Sequence, residues 1–202
     1  MVYPSLAGTN VAQDFVELPS QLNENWLATH EVLSRFAVNT EGQPIPDALV
    51  AKILNSRTFN TGFAVTEYLS AAIVDMKLHT TPQGPDDPPI DVGAFERETL
   101  NALGMPAEIV MRHRTPQFGH IFQSDGYAAG YYSTCGPRFS ITTPSRPSPK
   151  PATLTTPAWP KRLLDDILSV GDTIDPAQAY RNFRGRDPDV GAYLRSKGFQ
   201  TA

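Results

Sequence analysis

Proline constrains this chain more than any other residue. It has no amide N–H and its ring clashes with the preceding turn, so it ends helices rather than lying inside them. The 202 residues include 19 prolines, against a usual share of about 5%. Seven of them fall within 134–160 (TCGPRFSITTPSRPSPKPATLTTPAWP), a stretch with nine Ser or Thr and no acidic residue. At face value this is an irregular or linker-like segment. Elsewhere the prolines punctuate helical patterns, and the predicted fold class is all-α. Residues 10–79 read as helical, with core packing expected for most of them. Ile45-Pro46-Asp47 opens one helix carrying Leu49, Ile53 and Leu54. A second run extends from Phe59 to His79. Its apolar positions Phe63, Ala64, Leu69, Ala72, Ile73 and Met76 recur every three to four residues, which predicts that this face is buried.

Residues 80–90 form a Pro/Gly loop, and Asp91 can cap a helix over 91–103 that stops at Gly104. Residues 115–126 read as a loop, and 127–133 as the start of another helix, with Tyr127 and Tyr131 one turn apart. The helical pattern resumes at Lys161, with Leu163, Leu164, Ile167 and Leu168 on one face and Gly171 as stop. Asp175-Pro176 and Asp187-Pro188 open two last helices, the second ended by Gly198.

Several function classes drop out early. The lone Cys135 excludes a disulfide framework and a cysteine-ligated zinc finger. Twenty-one acidic against 17 basic residues lack the basic footprint of a nucleic-acid binder. No apolar run reaches membrane-span length, and the first ten residues (MVYPSLAGTN) lack a signal peptide's basic and apolar regions. The expected setting is cytoplasmic, with neither nucleic acid nor membrane as partner.

No self-contained catalytic constellation is present. His30-Glu31-Val32-Leu33-Ser34 begins like the zinc motif H-E-x-x-H, but serine stands where the second histidine must be. Three stretches are more distinctive. In GTNVAQDFVELPSQLNENW (8–26), Asp14 and Glu17 lie three apart, on one side of a helix turn, among Phe15, Val16, Leu18 and Trp26. In Phe118-Gly119-His120 and the following DGYAAGYY (125–132), glycines at 126 and 130 permit close approach, and His120, Tyr127 and Tyr131 can donate to a developing oxyanion. Arg112, His113 and Arg114 form a small basic cluster able to hold a carboxylate.

The signatures GTNVAQDFVELPSQ and FGHIFQSDGYAAGYY resemble the thimet oligopeptidase family of zinc metallopeptidases, nearest to its bacterial peptidyl-dipeptidase branch. The resemblance covers residues 3–133 and 161–199. It implies the C-terminal part of a two-lobed, mostly helical catalytic domain, divided here into 1–133, an irregular 134–160 and 161–202. It implies hydrolysis of short peptides with Zn2+ as cofactor. It gives Glu17 the role of metal ligand, Asp14 that of supporting a ligand histidine, and His120, Tyr127 and Tyr131 those of contacting substrate and stabilising the tetrahedral intermediate.

Two departures follow from the same resemblance. The family's H-E-x-x-H helix should lie upstream of Glu17 by more residues than this chain has, so a missing N-terminal half is the expected partner. Alone, the chain is expected to be inactive, because one carboxylate does not make the three-ligand site of catalytic zinc. The alternative is a non-catalytic helical fragment, a pseudogene product or half of a split enzyme, acting only through association. The second departure is Thr134, where the family has a second catalytic tyrosine in a Tyr-x-Trp run. Codons for Thr134-Cys135-Gly136-Pro137, read one base earlier, permit Tyr-Leu-Trp-Ala. Carried through Ala152, the same shift permits an acid-containing amphipathic run.

Residues 134 to about 160 are therefore expected to be a frame-shifted stretch, with the frame restored just before Lys161. The encoding DNA checks this directly. Codons 134–152 read one base earlier should give a helical run beginning Tyr-Leu-Trp, and any other reading removes the idea.

Overall fold

A computed structural model describes residues 3–27, 29–134 and 158–200. The described residues are helical and contain no β-strand, only an isolated antiparallel bridge between Val38 and Pro44. No described helix is long and apolar enough to cross a membrane. The chain divides into two units, one of Met1–Phe59 with Thr134–Ala202 and one of Asn60–Ser133. Of the irregular, frame-shifted stretch expected over 134–160, residues 135–157 lie outside the described residues. At the edges of that stretch, Tyr131–Thr134 is a 3-10 turn, and helix begins at Ala158 rather than at Lys161.

The first unit contains α1 (Leu18–Leu27), α2 (His30–Phe36), α3 (Asp47–Ser56), α6 (Ala158–Leu163), α7 (Pro176–Arg184) and α8 (Val190–Ser196). A five-residue π-helical stretch, Leu164–Leu168, extends α6. Leu18 and Leu22 of α1 pack in one core with Leu163, Ile167, Ala179, Tyr180 and Phe183, so the two sequence-distant ends of this unit share their apolar burial. Phe15 and Trp26 lie against that core. The amide of Asp172 also donates to the carbonyl of Leu6 at 3.1 Å. Arg162 donates to the carbonyls of Asn182 and Phe183 at the end of α7, where such groups lack helical partners.

Helix ends follow local chemistry closely. Asp175 accepts from the amide of Gln178 at 2.9 Å, Pro176 sits in the first turn, and Gly185 closes α7 at φ 77°. For α8 the cap is Asp189, accepting from Gly191 at 2.9 Å, and not Asp187 as the Asp-Pro pair suggests. Asp187 instead pairs with Arg181 at 2.9 Å.

The second unit contains α4 (Thr61–Thr80), α5 (Val92–Ala102) and the segment 103–133. Asp91 caps α5 through the amide of Ala94 at 3.0 Å, as its position predicts. Of the α4 face expected to be buried, only Ala72 is. Phe63, Leu69, Ile73 and Met76 are 45, 39, 36 and 37% exposed, while Ser70, Ala71, Ala72, Val74 and Asp75 are buried. Periodicity identifies an apolar stripe but does not say which neighbour meets it. The side of α4 that is covered carries Asp75, the acceptor for the loop that follows α5. Similarly, α3 buries Val50 while Leu49, Ile53 and Leu54 are exposed. On the π-extended α6, Leu163 and Ile167 are buried but Leu164 and Leu168 are not.

Candidate functional site

Residues 115–134 have no long helix to organise them. They form successive 3-10 turns at Thr115–Gln117, Gly119–Phe122, Asp125–Tyr127 and Tyr131–Thr134. The continuous helix expected from 127 does not form. Ala129 takes a left-handed φ of 55°, which breaks any helical path between Tyr127 and Tyr131. The sequence pointed to the glycines at 126 and 130, but the unusual backbone is at an alanine. That conformation costs a non-glycine residue roughly 1–2 kcal/mol, so something must hold it.

The carboxylate of Asp75 does, and that of Glu96 fastens the start of the loop. Asp75 of α4 is fully buried. Its Oδ1 accepts from the amide of Ala129 at 3.2 Å and its Oδ2 from the amide of Tyr131 at 2.9 Å. His79, one turn along, donates from Nδ1 to Asp75 Oδ1 at 2.8 Å. Glu96 of α5, also buried, accepts from the amide of Thr115 at 2.6 Å and from Arg114 Nε at 2.5 Å. The loop is therefore fastened near both of its ends to side chains of the adjacent helices. Such charge-assisted bonds are typically worth about 1.5–3 kcal/mol each. Burial by itself raises the Glu96 carboxyl; the hydrogen bonds from Thr115 and Arg114 outweigh it and hold the group below its ordinary value of 4.5.

Between those fastenings the aromatic rings assemble around Phe118, itself buried. His113 stacks on Phe118 at 4.4 Å between centroids, and Tyr131 meets it edge-on at 4.7 Å. Tyr68 of α4 lies 4.9 Å from the Tyr131 ring, and its hydroxyl donates to the Tyr131 carbonyl at 2.6 Å. His120 packs against the Phe118 ring at 5.8 Å and edge-on against Tyr127 at 5.0 Å. The unit thus brings His120, Tyr127 and Tyr131 together, as the sequence expected, but in different circumstances. Tyr131 is held through its amide, carbonyl and ring. His120 is exposed and Tyr127 half-buried.

The basic cluster resolves differently. Arg112 pairs with Glu67 at 3.2 Å, Arg114 with Glu96, and His113 stacks, so both guanidinium groups already have carboxylate partners. Asp75, Glu96 and Tyr68 were not singled out from the sequence as site residues. The signal for Asp75 was a carboxylate one turn before a histidine in an otherwise apolar run, a pairing that helical spacing permits.

Glu17 and Asp14 lie in the first unit, in turns that precede α1 rather than within a helix, and both are exposed. Glu17 Oε2 accepts from Gln21 Nε2 at 2.9 Å, and the same nitrogen donates to the carbonyl of Thr134 at 3.0 Å. His30 is exposed and meets Asp47 at 3.0 Å. Among the described residues no three His, Cys, Asp or Glu side chains group closely enough to hold a metal ion. Glu17 offers one carboxylate oxygen not taken by Gln21, so the described residues alone do not fit a catalytic zinc, which needs three protein ligands.

Comparison with known proteins agrees with the sequence signatures. The profile of peptidase family M3 matches residues 2–199. Dipeptidyl carboxypeptidase of Escherichia coli is 36% identical over 199 residues, covering 97% of this chain and 28% of its own length. Oligopeptidase A of Haemophilus influenzae is 32% identical, covering 96% of this chain and 28% of its own length. A probable cytosolic oligopeptidase A of Arabidopsis thaliana is 31% identical, with the same two coverages of 96% and 28%. The chain thus spans just over a quarter of the length of each of these three relatives.

The Glu96 contacts give a pH prediction. A carboxyl lowered on folding contributes stability that is present above its unfolded value and lost as pH falls through its folded one. Urea denaturation from neutral pH to about pH 3 should show Glu96→Gln losing less stability on acidification than the parent chain, and an equal loss from both would contradict it.

Proposed function

From the premise that the chain belongs to peptidase family M3, we propose that it is part of a zinc-dependent metallopeptidase of the oligopeptidase or peptidyl-dipeptidase type, acting on short peptides in the cytoplasm. The observation that carries this reading is the His120–Tyr127 pair. It stands at the accessible side of an aromatic loop whose backbone two buried helix carboxylates fix.

An imidazole and a phenol in edge contact can both donate hydrogen bonds to one substrate oxygen. Preorganised donors of that kind stabilise the negative charge that develops on a carbonyl under attack, because they need not reorient as the charge forms. In this reading His120 and Tyr127 touch the scissile carbonyl. Tyr131 flanks the peptide, and its fixed ring and carbonyl keep the loop from drifting. In the intact peptidase Glu17 would supply one metal ligand, and Asp14 would support a ligand histidine. The remaining ligands and the general base belong to the part of the peptidase that lies outside the matched stretch. The chain by itself is therefore inactive. Its division into 1–133, a frame-shifted 134–160 and 161–202 belongs to the same proposal.

Two experiments test it. The purified chain should show neither one-to-one zinc nor turnover of a quenched peptide, and tight zinc with turnover would overturn the claim of inactivity. A hybrid in which residues 3–133 replace only the corresponding part of the matched stretch of the E. coli dipeptidyl carboxypeptidase, whose own C-terminal helices are kept, should bind zinc and hydrolyse peptides. In that hybrid Tyr127→Phe should lower kcat by about 100-fold or more with KM little changed. Equal turnover by parent and Tyr127→Phe hybrids would remove Tyr127 from the chemistry.

A further inference from the structure

Much of the stripe on α4 that the sequence expects to be buried is left uncovered by the second unit. Leu69, Ile73 and Met76 are all more than a third exposed, and with Thr80 they follow i, i+4, i+7, i+11 spacing. That spacing is the seam along which one helix packs against another. Together with Ala72, Lys77 and the ring of Tyr132 they line an open cleft of about 420 Å³.

The chemistry of the cleft argues against a polar small ligand. The Lys77 ammonium reaches away to Thr99 Oγ1 at 3.4 Å and lies over the Phe95 ring at 5.8 Å. The Thr80 hydroxyl donates to the Met76 carbonyl at 2.8 Å. Each of these polar side chains in the lining already has a partner, whereas small-molecule sites depend on a few convergent polar groups aimed at the ligand. What remains is an elongated aliphatic surface with one aromatic wall, and such a surface suits the apolar face of an amphipathic helix.

The relatives indicate the source of that helix. Each matches this chain over 95% or more of its length, yet the matched stretch is only 28% of the E. coli and H. influenzae proteins. Those proteins therefore carry more than twice as much further polypeptide outside the matched stretch. We infer that the α4 stripe is a docking surface for a helix from the peptidase portion outside the matched stretch, seated between Ile73, Met76 and Tyr132. This rests on the reading of the chain as part of a family M3 peptidase, and it adds the surface by which that part joins the rest.

The test is association in trans. The full chain is co-expressed with a tagged E. coli dipeptidyl carboxypeptidase lacking the matched stretch, and the purified complex is sized by light scattering. A one-to-one complex is expected from the parent chain and from Leu103→Asp, which alters an exposed apolar residue off the stripe. Ile73→Asp should weaken the complex at least 30-fold while leaving the far-ultraviolet circular dichroism unchanged. Met76→Lys is the second variant, in case Ile73→Asp unfolds the unit. Three results would overturn the inference: no complex from the parent chain, a complex insensitive to both variants, or a homodimer of the parent chain that Ile73→Asp dissolves. The hybrid enzyme tests the peptidase reading separately. Hydrolysis by the hybrid with no stripe-dependent complex removes the docking and keeps the reading, and a stripe-dependent complex with an inert hybrid does the reverse.

Discussion

The fully buried carboxylate of Asp75 is the interaction on which the candidate site depends. A carboxylate removed from water is costly unless its oxygens are occupied. Here both are, by two backbone amides of the loop and one imidazole N–H from the next turn of α4. The amides belong to Ala129, in its left-handed conformation, and Tyr131, so the hydrogen bonds offset the strain at the place where it arises. Glu96 does the same at the other end through Thr115. A segment without a ladder of its own thereby gains a fixed path, and the rings of His120, Tyr127 and Tyr131 take their places along it.

This arrangement explains which parts of the molecule were legible in the sequence. Helix ends were, because capping is local. Asp91 and Asp175 each accept the amide three residues on, and glycines at 104, 171, 185 and 198 take positive φ beyond helix ends. The identity of the site residues came from the two signature stretches, and the family match bears the resemblance out. What failed depends on contacts distant in sequence. The apolar period of α4 is real, but the covered side is set by a loop more than fifty residues away, so Asp75 is buried and Ile73 is not. The tyrosine spacing suggested a helix over 127–133, but a pull on the amides of Ala129 and Tyr131 from outside the segment produces turns instead. The cluster Arg112-His113-Arg114 looked available for a substrate carboxylate until Glu67 and Glu96 were found beside its arginines.

The two units contribute differently to the proposed chemistry. In the first, residues from both ends of the chain close one core, and α1 starts directly after Glu17. In the second, two helices hold an aromatic loop whose accessible members are a histidine and a tyrosine. Neither unit holds a metal by its described residues alone. The chain spans just over a quarter of the length of the E. coli dipeptidyl carboxypeptidase it matches.

The central claim is that the Asp75 carboxylate holds the loop backbone. Amide hydrogen exchange at Ala129 and Tyr131, compared between the parent chain and Asp75→Asn, tests it most directly. Asparagine keeps the shape but replaces one acceptor oxygen by a donor that faces a backbone N–H. Protection at one or both amides should fall at least tenfold, about 1.4 kcal/mol, while amides inside α5 keep theirs. Unchanged protection at both would contradict the account.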